Sequence, residues 1–281
     1  MEMDVPIMTR ELSDRIEQSK AGYIESWMQG MREQQGNPFG VAIQHFGRAR
    51  AFVARNLAHV GLFNRVIGIG PEHAAQLDDI IRFYEVQGVP YRIDLNPYRV
   101  SHELLTGLTD YGFHESMFQS MLYDVPSAVP LDPPSSVAIE DVSFERLVRF
   151  VDVYMHGFQG ALHGQGSEVK LLASALEVLY GRAGWQFSLV SVDEKPASIG
   201  LLYMRDGIAS LTGGATIPSF RNRGCQTVTL AQRFALAAEA KCTLIVGQAE
   251  AGSVGQANME RMGMRIAYTR AIWTRVRPAR K

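Results

Sequence analysis

Arg221 and Arg223 stand on either side of Asn222, directly before Gly224-Cys225-Gln226-Thr227 and a run with helical periodicity. Between Asp206 and Glu239 the chain has no acidic residue, although it carries 29 in all. A helix start leaves several backbone N–H groups unpaired, and its peptide dipoles place partial positive charge there. A glycine at the turn lets backbone come close to a phosphate, and neighbouring guanidinium groups add cationic contacts. A carboxylate in the same loop would oppose that chemistry. The residue types and spacing therefore predict a site for a polyanion such as a diphosphate, with Arg221 through Thr227 around it.

The elements that must hold this turn are legible on both sides of it. Ile208-Ala-Ser-Leu-Thr-Gly-Gly-Ala-Thr-Ile217 reads as a strand, and Gln226 to Lys241 reads as the helix that follows. Cys242 to Glu250 is the next strand, Ser253 to Gly263 a helix, and Arg265 to Val276 a last strand. Earlier in this half come a strand at Ser136–Ser143, an amphipathic helix at Phe144–Phe158, and a second helix at Ser167–Gly184. A hairpin of Trp185–Asp193 and Ala197–Gly207 is expected to turn through Glu194-Lys195-Pro196.

The N-terminal half begins with a helix from Thr9 to Gln34 and continues with two short alternating strands. It then runs strand, helix, strand, helix, strand through Asn64–Val125, with Ser101 as an N-cap. The C-terminal half closes with the same run. Four of the twelve prolines, Pro126, Pro130, Pro133 and Pro134, fall between the halves. The reading is two domains, residues 1–128 and 137–281, joined by a proline-rich linker at 129–136. Where the second half has Ser-Phe-Arg-Asn-Arg-Gly-Cys-Gln, the first has Gly-Pro-Glu-His-Ala-Ala-Gln with Asp78 and Asp79 soon after. The anion-ready turn occurs in the second copy alone.

Composition sets the remaining bounds. Hydrophobic residues make up 46% and charged residues 20% of the 281, as expected for a globular protein with a substantial core. A formal net charge of −1 provides no global field for nucleic acid or a membrane surface, so neither is expected as a partner. Two cysteines, Cys225 and Cys242, form no disulfide framework and no metal-ligand spacing, so no metal is expected. Acids near the N-terminus, and the lack of a run of ~20 apolar residues, give the expectation of a soluble cytoplasmic protein.

The stretch from Ala215 to Ala240, followed by Ser253-Val-Gly-Gln-Ala-Asn258 and Arg261-Met-Gly263-Met264, resembles the GCN5-related N-acetyltransferases (GNAT). That family carries an Arg/Gln-x-x-Gly-x-Gly/Ala turn; here Arg221, Gly224 and Gln226 take its positions, with Gln226 replacing the small residue. The likeness spans about residues 137–276, and the first half looks like a degenerate copy, as in tandem members. The resemblance implies an α/β (α+β) fold of two tandem GNAT-like domains, each a mixed, mostly antiparallel sheet flanked by helices. It implies an acyltransferase that uses acetyl-CoA as co-substrate. An amine, on a small molecule or a peptide, would attack the thioester directly. Ala215, Thr216 and Ile217 would hold the pantetheine arm, Arg221, Asn222, Arg223, Gly224, Cys225, Gln226 and Thr227 the diphosphate, and Asn258 the arm further along.

Two family positions depart from pattern. Ser210 or Thr212 stands where many members have a basic Glu, and Met259 where many have an acidic Tyr. Glu250 is then the candidate base, on the expectation that partial burial raises its pKa, and Tyr268 the candidate acid. His156 and His163 are candidates for the acceptor pocket. Trp185, Phe187, Tyr154 and Phe158 read as core, and Cys225 as a packed thiol. The same residues also admit a non-catalytic acyl-CoA-binding regulatory protein, or a nucleotide-phosphate binder lacking a pantetheine groove. Acceptor identity and oligomeric state are left open.

Overall fold

Thr9 opens the first helix as its spacing predicts: its Oγ1 accepts from the Leu12 amide at 3.1 Å, and α1 runs over Arg10–Arg32. The structure, a computed structural model, describes residues 5–128, 133–158 and 167–275. After α1 come β1 (Val41–Phe46), β2 (Ala49–Ala54) and β3 (Arg65–Ile67). A 3-10 turn at Pro71–Gln76 leads into α2 (Leu77–Gln87), which is followed by β4 (Arg92–Leu95), α3 (His102–Asp110) and β5 (Phe113–Asp124). Ser101 caps α3 through the Leu104 amide.

The later part of the chain has β6 (Val137–Asp141), α4 (Leu147–Gly157), α5 (Ser167–Glu177), β7 (Trp185–Val192) and β8 (Lys195–Arg205). It continues through β9 (Ile208–Thr216), α6 (Cys225–Glu239), β10 (Leu244–Glu250), α7 (Val254–Arg261) and β11 (Arg265–Arg275). The β7–β8 turn is Asp193-Glu194 with φ of 49° and 63°, and Lys195 already pairs with Val192. The hairpin is thus tighter than the expected Glu194-Lys195-Pro196 connection. Two successive positive φ values match the right-handed twist of the strands.

The chain divides into two compact units that do not follow its two halves. One is Met8–Met121 with the chain from Ala267 onward; the other is Leu122–Ile266 with the residues before Met8. The division falls at 121/122 and 266/267, away from the expected linker at 129–136, of which 129–132 lie outside the described residues. Backbone pairing is the cause at the second crossing. The end of β11 runs antiparallel to β4, with Ala271 opposite Leu95 and Trp273 opposite Ile93.

Within the first unit the strand order is β1-β2-β3-β4-β11-β5, antiparallel at β1–β2, β2–β3 and β4–β11 and parallel at β3–β4. Its core gathers Ile80, Tyr84, Ile93, Leu104, Leu108, Phe113 and Trp273. Within the second unit the order is β10-β9-β8-β7-β6, with β9–β10 the parallel pair. There α6 packs Leu230, Phe234 and Ala237 on Leu202, Leu211 and Ile245. Phe150 of α4 meets Phe187 edge-on at 4.9 Å; Tyr154, Trp185 and Phe187 are buried as read, whereas Phe158, at the end of α4, is only half-buried.

Candidate functional site

β9 and β10 are paired only at Ile208–Leu244, Ala209–Ile245 and Ser210–Val246. Past Ser210, β9 continues to Thr216 and β10 to Glu250 with no further pairing between them. On its other side β9 stays attached to β8 as far as Thr216–Ser198. One edge of residues 211–216 is therefore released from the ladder while the strand remains anchored, and backbone groups on that edge can receive an extended ligand.

The β8–β9 register breaks in the same place. Partners pass from Ile199–Ala215 to Leu201–Thr212, so three steps on β9 match two on β8. That is a one-residue bulge at Gly213-Gly214, which re-aims the strand. Ser198 donates to the Ala215 carbonyl at 2.8 Å, and its hydroxyl meets Thr216 Oγ1 at 2.8 Å. The Ile217 amide donates to Ala197 O at 2.9 Å. Of the three expected pantetheine contacts, Ile217 is thus turned toward β8, and alternation leaves Thr216 facing the open side.

After a short Pro218–Phe220 turn the chain reaches the arginines. Asn222 takes φ 63° and Gly224 φ 79°, both left-handed. At Gly224 an added Cβ would meet Pro134 at 3.8 Å, so backbone conformation, more than space, is what selects glycine. α6 starts at Cys225 with no side-chain cap, and the first amide of the turn with a backbone acceptor is that of Val228, bonded to Gly224 O. The amides of Cys225, Gln226 and Thr227 have no partner among the described residues. Arg221 and Arg223 are exposed. Arg221 has no acidic partner among the described residues, and Arg223 reaches Asp193 at 3.5 Å with both groups more than half exposed. Phe220 supports Arg223, whose guanidinium carbon lies 5.9 Å from the ring centre.

Cys225 is buried among Val137, Val190, Val192 and Val228, and burial pushes its thiol pKa up. It is packing, as the sequence implied, despite its place at a helix start. Asn258 lies half-buried on α7; its Oδ1 accepts from Arg261 at 2.8 Å, and its Nδ2 has no partner among the described residues. Met259 belongs to the core, and a Cβ on Gly247 would come within 2.4 Å of its sulfur. Side-chain volume against β10 thus fills the family's tyrosine position.

The expected proton carriers fare less well. Glu250 is exposed at the end of β10, so burial does not support the role the sequence reading gave it. Tyr268 belongs to the other compact unit, where its hydroxyl donates to Glu17 at 2.7 Å. Burial and then Glu17 hold its pKa well above the ordinary tyrosine value, which makes it a structural donor. His156 is exposed at the end of α4 and bonds Asp152 O at 2.8 Å. His163 lies outside the described residues.

One residue near the slot was not singled out in the sequence. Arg233 is buried in α6 (2% exposed), donating through Nε to Thr229 O at 3.1 Å and through Nη1 to Leu201 O and Thr212 O at 3.3 and 3.4 Å. No carboxylate partners it among the described residues, and burial draws its pKa down to about 10. A Cβ on Gly200 would sit 2.9 Å from its Nε and 2.5 Å from Thr229 Cγ2, so glycine there is what admits the guanidinium. The available signal was an arginine on the apolar face of a helix whose other members are Val228, Leu230 and Phe234.

This arrangement defines an α/β fold with one open parallel pair ahead of an uncapped helix start whose own stretch of sequence carries no acid. No protein-family model matches the chain, and no curated protein matches it. Solved structures do. The chain is similar to a GCN5-related N-acetyltransferase from Kribbella flavida, with a TM-score of 0.64 and 15% identity over 92% of this chain and 96% of that one. A GCN5-related N-acetyltransferase from Sphaerobacter thermophilus aligns with a TM-score of 0.60 and 12% identity over 98% and 95%. A tandem GNAT protein from the clavulanic acid biosynthesis pathway aligns with a TM-score of 0.55 and 13% identity over 75% and 74%. The chain has the fold of the GCN5-related N-acetyltransferases in its tandem form.

Proposed function

We propose that the unit containing β6–β10 binds acetyl-CoA and transfers its acetyl group to an amine, on a small molecule or a peptide. The observation that carries this reading is the coincidence of a released β9 edge with an uncapped, acid-free α6 start one turn further along the chain. Arg221, Asn222, Arg223, Gly224 and the amides of Cys225, Gln226 and Thr227 would take the diphosphate. Thr216, with Ala215 beside it, would present the strand edge to the pantetheine amides, and Asn258 its free amide nitrogen. Ile217 would contribute side-chain contact only. The amine would attack the thioester carbonyl directly, helped by a backbone N–H at the opening of β9 and β10. No metal enters this scheme.

A second reading, an acyl-CoA-binding regulatory protein without turnover, is favoured by three observations. Glu250 is exposed, the Tyr268 hydroxyl is committed to Glu17, and Met259 fills the tyrosine position. Release of CoA from acetyl-CoA, followed with an amine panel, separates the two. Acceptor-dependent release above the rate of thioester hydrolysis supports transfer; saturable binding with no acceptor-dependent release supports the regulatory reading. The cytoplasmic expectation belongs with this proposal. No described helix is long and apolar enough to cross a membrane.

A further inference from the structure

Gln226 departs from the GNAT turn, where a small residue is usual, and the structure shows where its side chain goes. The residues Gln226 and Arg233 are seven apart on α6 and so share a face. A long helical side chain leans toward the helix N-terminus, which carries the Arg233 guanidinium back toward Gln226. Both ends converge on Gly214 in the β9 bulge. From the point where Gly214 would bear a Cβ, Arg233 Nη2 lies at 3.4 Å and Gln226 Nε2 at 3.6 Å. Neither nitrogen has an acceptor among the described residues. Among the described residues the Arg233 guanidinium bonds to the three carbonyls of Thr229, Leu201 and Thr212 and to no carboxylate.

Buried charges in folded proteins are paired, because an isolated one is strongly disfavoured. Two donors brought to one spot beside an uncompensated cation describe half of an interaction. Arg233 is buried, yet the backbone beside it is not: Gly214 is exposed, on the stretch of β9 released from β10. We propose that Arg233 and Gln226 form an oxyanion site at Gly214 that takes a carboxylate or phosphate oxygen of the ligand bound along β9. The inference rests on the acyl-CoA reading for the ligand's position, and on the side-chain geometry alone for the site's existence. Two sources share the chemistry: the carboxylate of a dicarboxylic acyl group, and a phosphate of the coenzyme.

The test uses the full chain and calorimetric titration with CoA, acetyl-CoA, succinyl-CoA and inorganic pyrophosphate, on the wild type, Arg233→Met, Arg233→Lys and Gln226→Ala. A charge-assisted contact predicts a change of about tenfold or more in affinity. With an acyl carboxylate as the source, succinyl-CoA binds the wild type at least about tenfold tighter than acetyl-CoA. Arg233→Met then removes that preference and leaves CoA affinity unchanged. With a phosphate as the source, Arg233→Met weakens all three coenzymes alike, and Arg233→Lys recovers part of the loss in either case. A structural role alone predicts no ligand-selective change and no recovery by lysine. Should Arg233→Met fail to fold, Arg233→Lys and Gln226→Ala carry the test through the same comparison. Wild-type affinities retained by the folded variants would overturn the proposal. If the wild type binds no coenzyme at all, the acyl-CoA reading fails by itself. Pyrophosphate or succinate affinity that depends on Arg233 would then still support the anion site, and its absence would overturn that too.

Discussion

At the scale of residues, the clearest energetic statement comes from a buried ionic cluster in the first unit. Asp94 accepts from Lys20 and Arg270 at 2.8 Å and from Arg65 at 3.0 Å, all of them buried. Arg270 also reaches Glu17 at 3.0 Å. Burial alone would raise the Asp94 pKa, but Arg65, Lys20 and Arg270 together hold it far below the ordinary carboxylate value. Burial and then Arg270 lower the Lys20 pKa well below the usual lysine range. Three bases face two carboxylates, so depressing Lys20 moves the cluster toward balance. Asp94→Asn leaves the bases without their shared counter-charge and should cost about 3–5 kcal/mol in urea unfolding. Lys20→Met removes a cation that the site disfavours and should cost less than about 1.5 kcal/mol. Because the folded pKa of Asp94 lies below its unfolded value, its contribution is present above about pH 3.8 and declines as pH falls below that. The Tm gap between wild type and Asp94→Asn should therefore narrow in acid. None of this was legible beforehand, since the members lie between residues 17 and 270 and only the fold brings them together.

At the scale of elements, the β9 bulge and the helix behind it make contrasting demands on two glycines. A Cβ at Gly200 meets Thr229 Cγ2 and the Arg233 guanidinium inside 3 Å, and a fully buried guanidinium has nowhere to move. Gly200→Ala should cost about 1–3 kcal/mol. A Cβ at Gly214 meets its neighbours no closer than 3.4 Å. Gly214→Ala should stay within about 1 kcal/mol in the same thermal melt. Local elements were largely readable, because Thr9 and Ser101 cap where their types say they should and the strand-helix alternation is regular. The candidate site was readable to the extent that it is backbone and charge: the acid-free α6 start and its left-handed Gly224 follow from residue types alone. The opening of β9 from β10 and the Gly213-Gly214 bulge depend on register, which a one-residue slip alters and which composition does not record. The environments expected for Glu250 and Tyr268 differ from those found for a related reason. Exposure and hydrogen-bond partner are set by tertiary placement, and both residues were assigned without it.

At the scale of the whole molecule, the two compact units are each built from two separated stretches of the sequence. The order of elements repeats, with β3-α2-β4-α3-β5 and β9-α6-β10-α7-β11 in the same sequence and a parallel pair in each. Linear reading placed the boundary at the prolines, because nothing in residue types announces that β11 will pair with β4. The pairing has a consequence for fragments. Residues 1–128 alone lack Tyr268, Arg270 and Trp273, leaving Glu17 and Asp94 short of partners and a gap in the core beside Ile93. That fragment should show no cooperative thermal transition, and a peptide spanning 265–275 added in trans should restore one. A cooperative transition in the fragment alone would contradict this account of the first unit. The central claim, that unpaired amides at the start of α6 with Arg221 and Arg223 grip the diphosphate of a coenzyme, is tested most directly by calorimetric titration of CoA into the wild type and Gly224→Asp. The account predicts one site per chain in the wild type. In the variant it predicts an affinity loss of at least about a hundredfold, from a carboxylate set against the ligand's charge, with the fold retained. No heat in the wild type, or equal affinity in the two proteins, would contradict it.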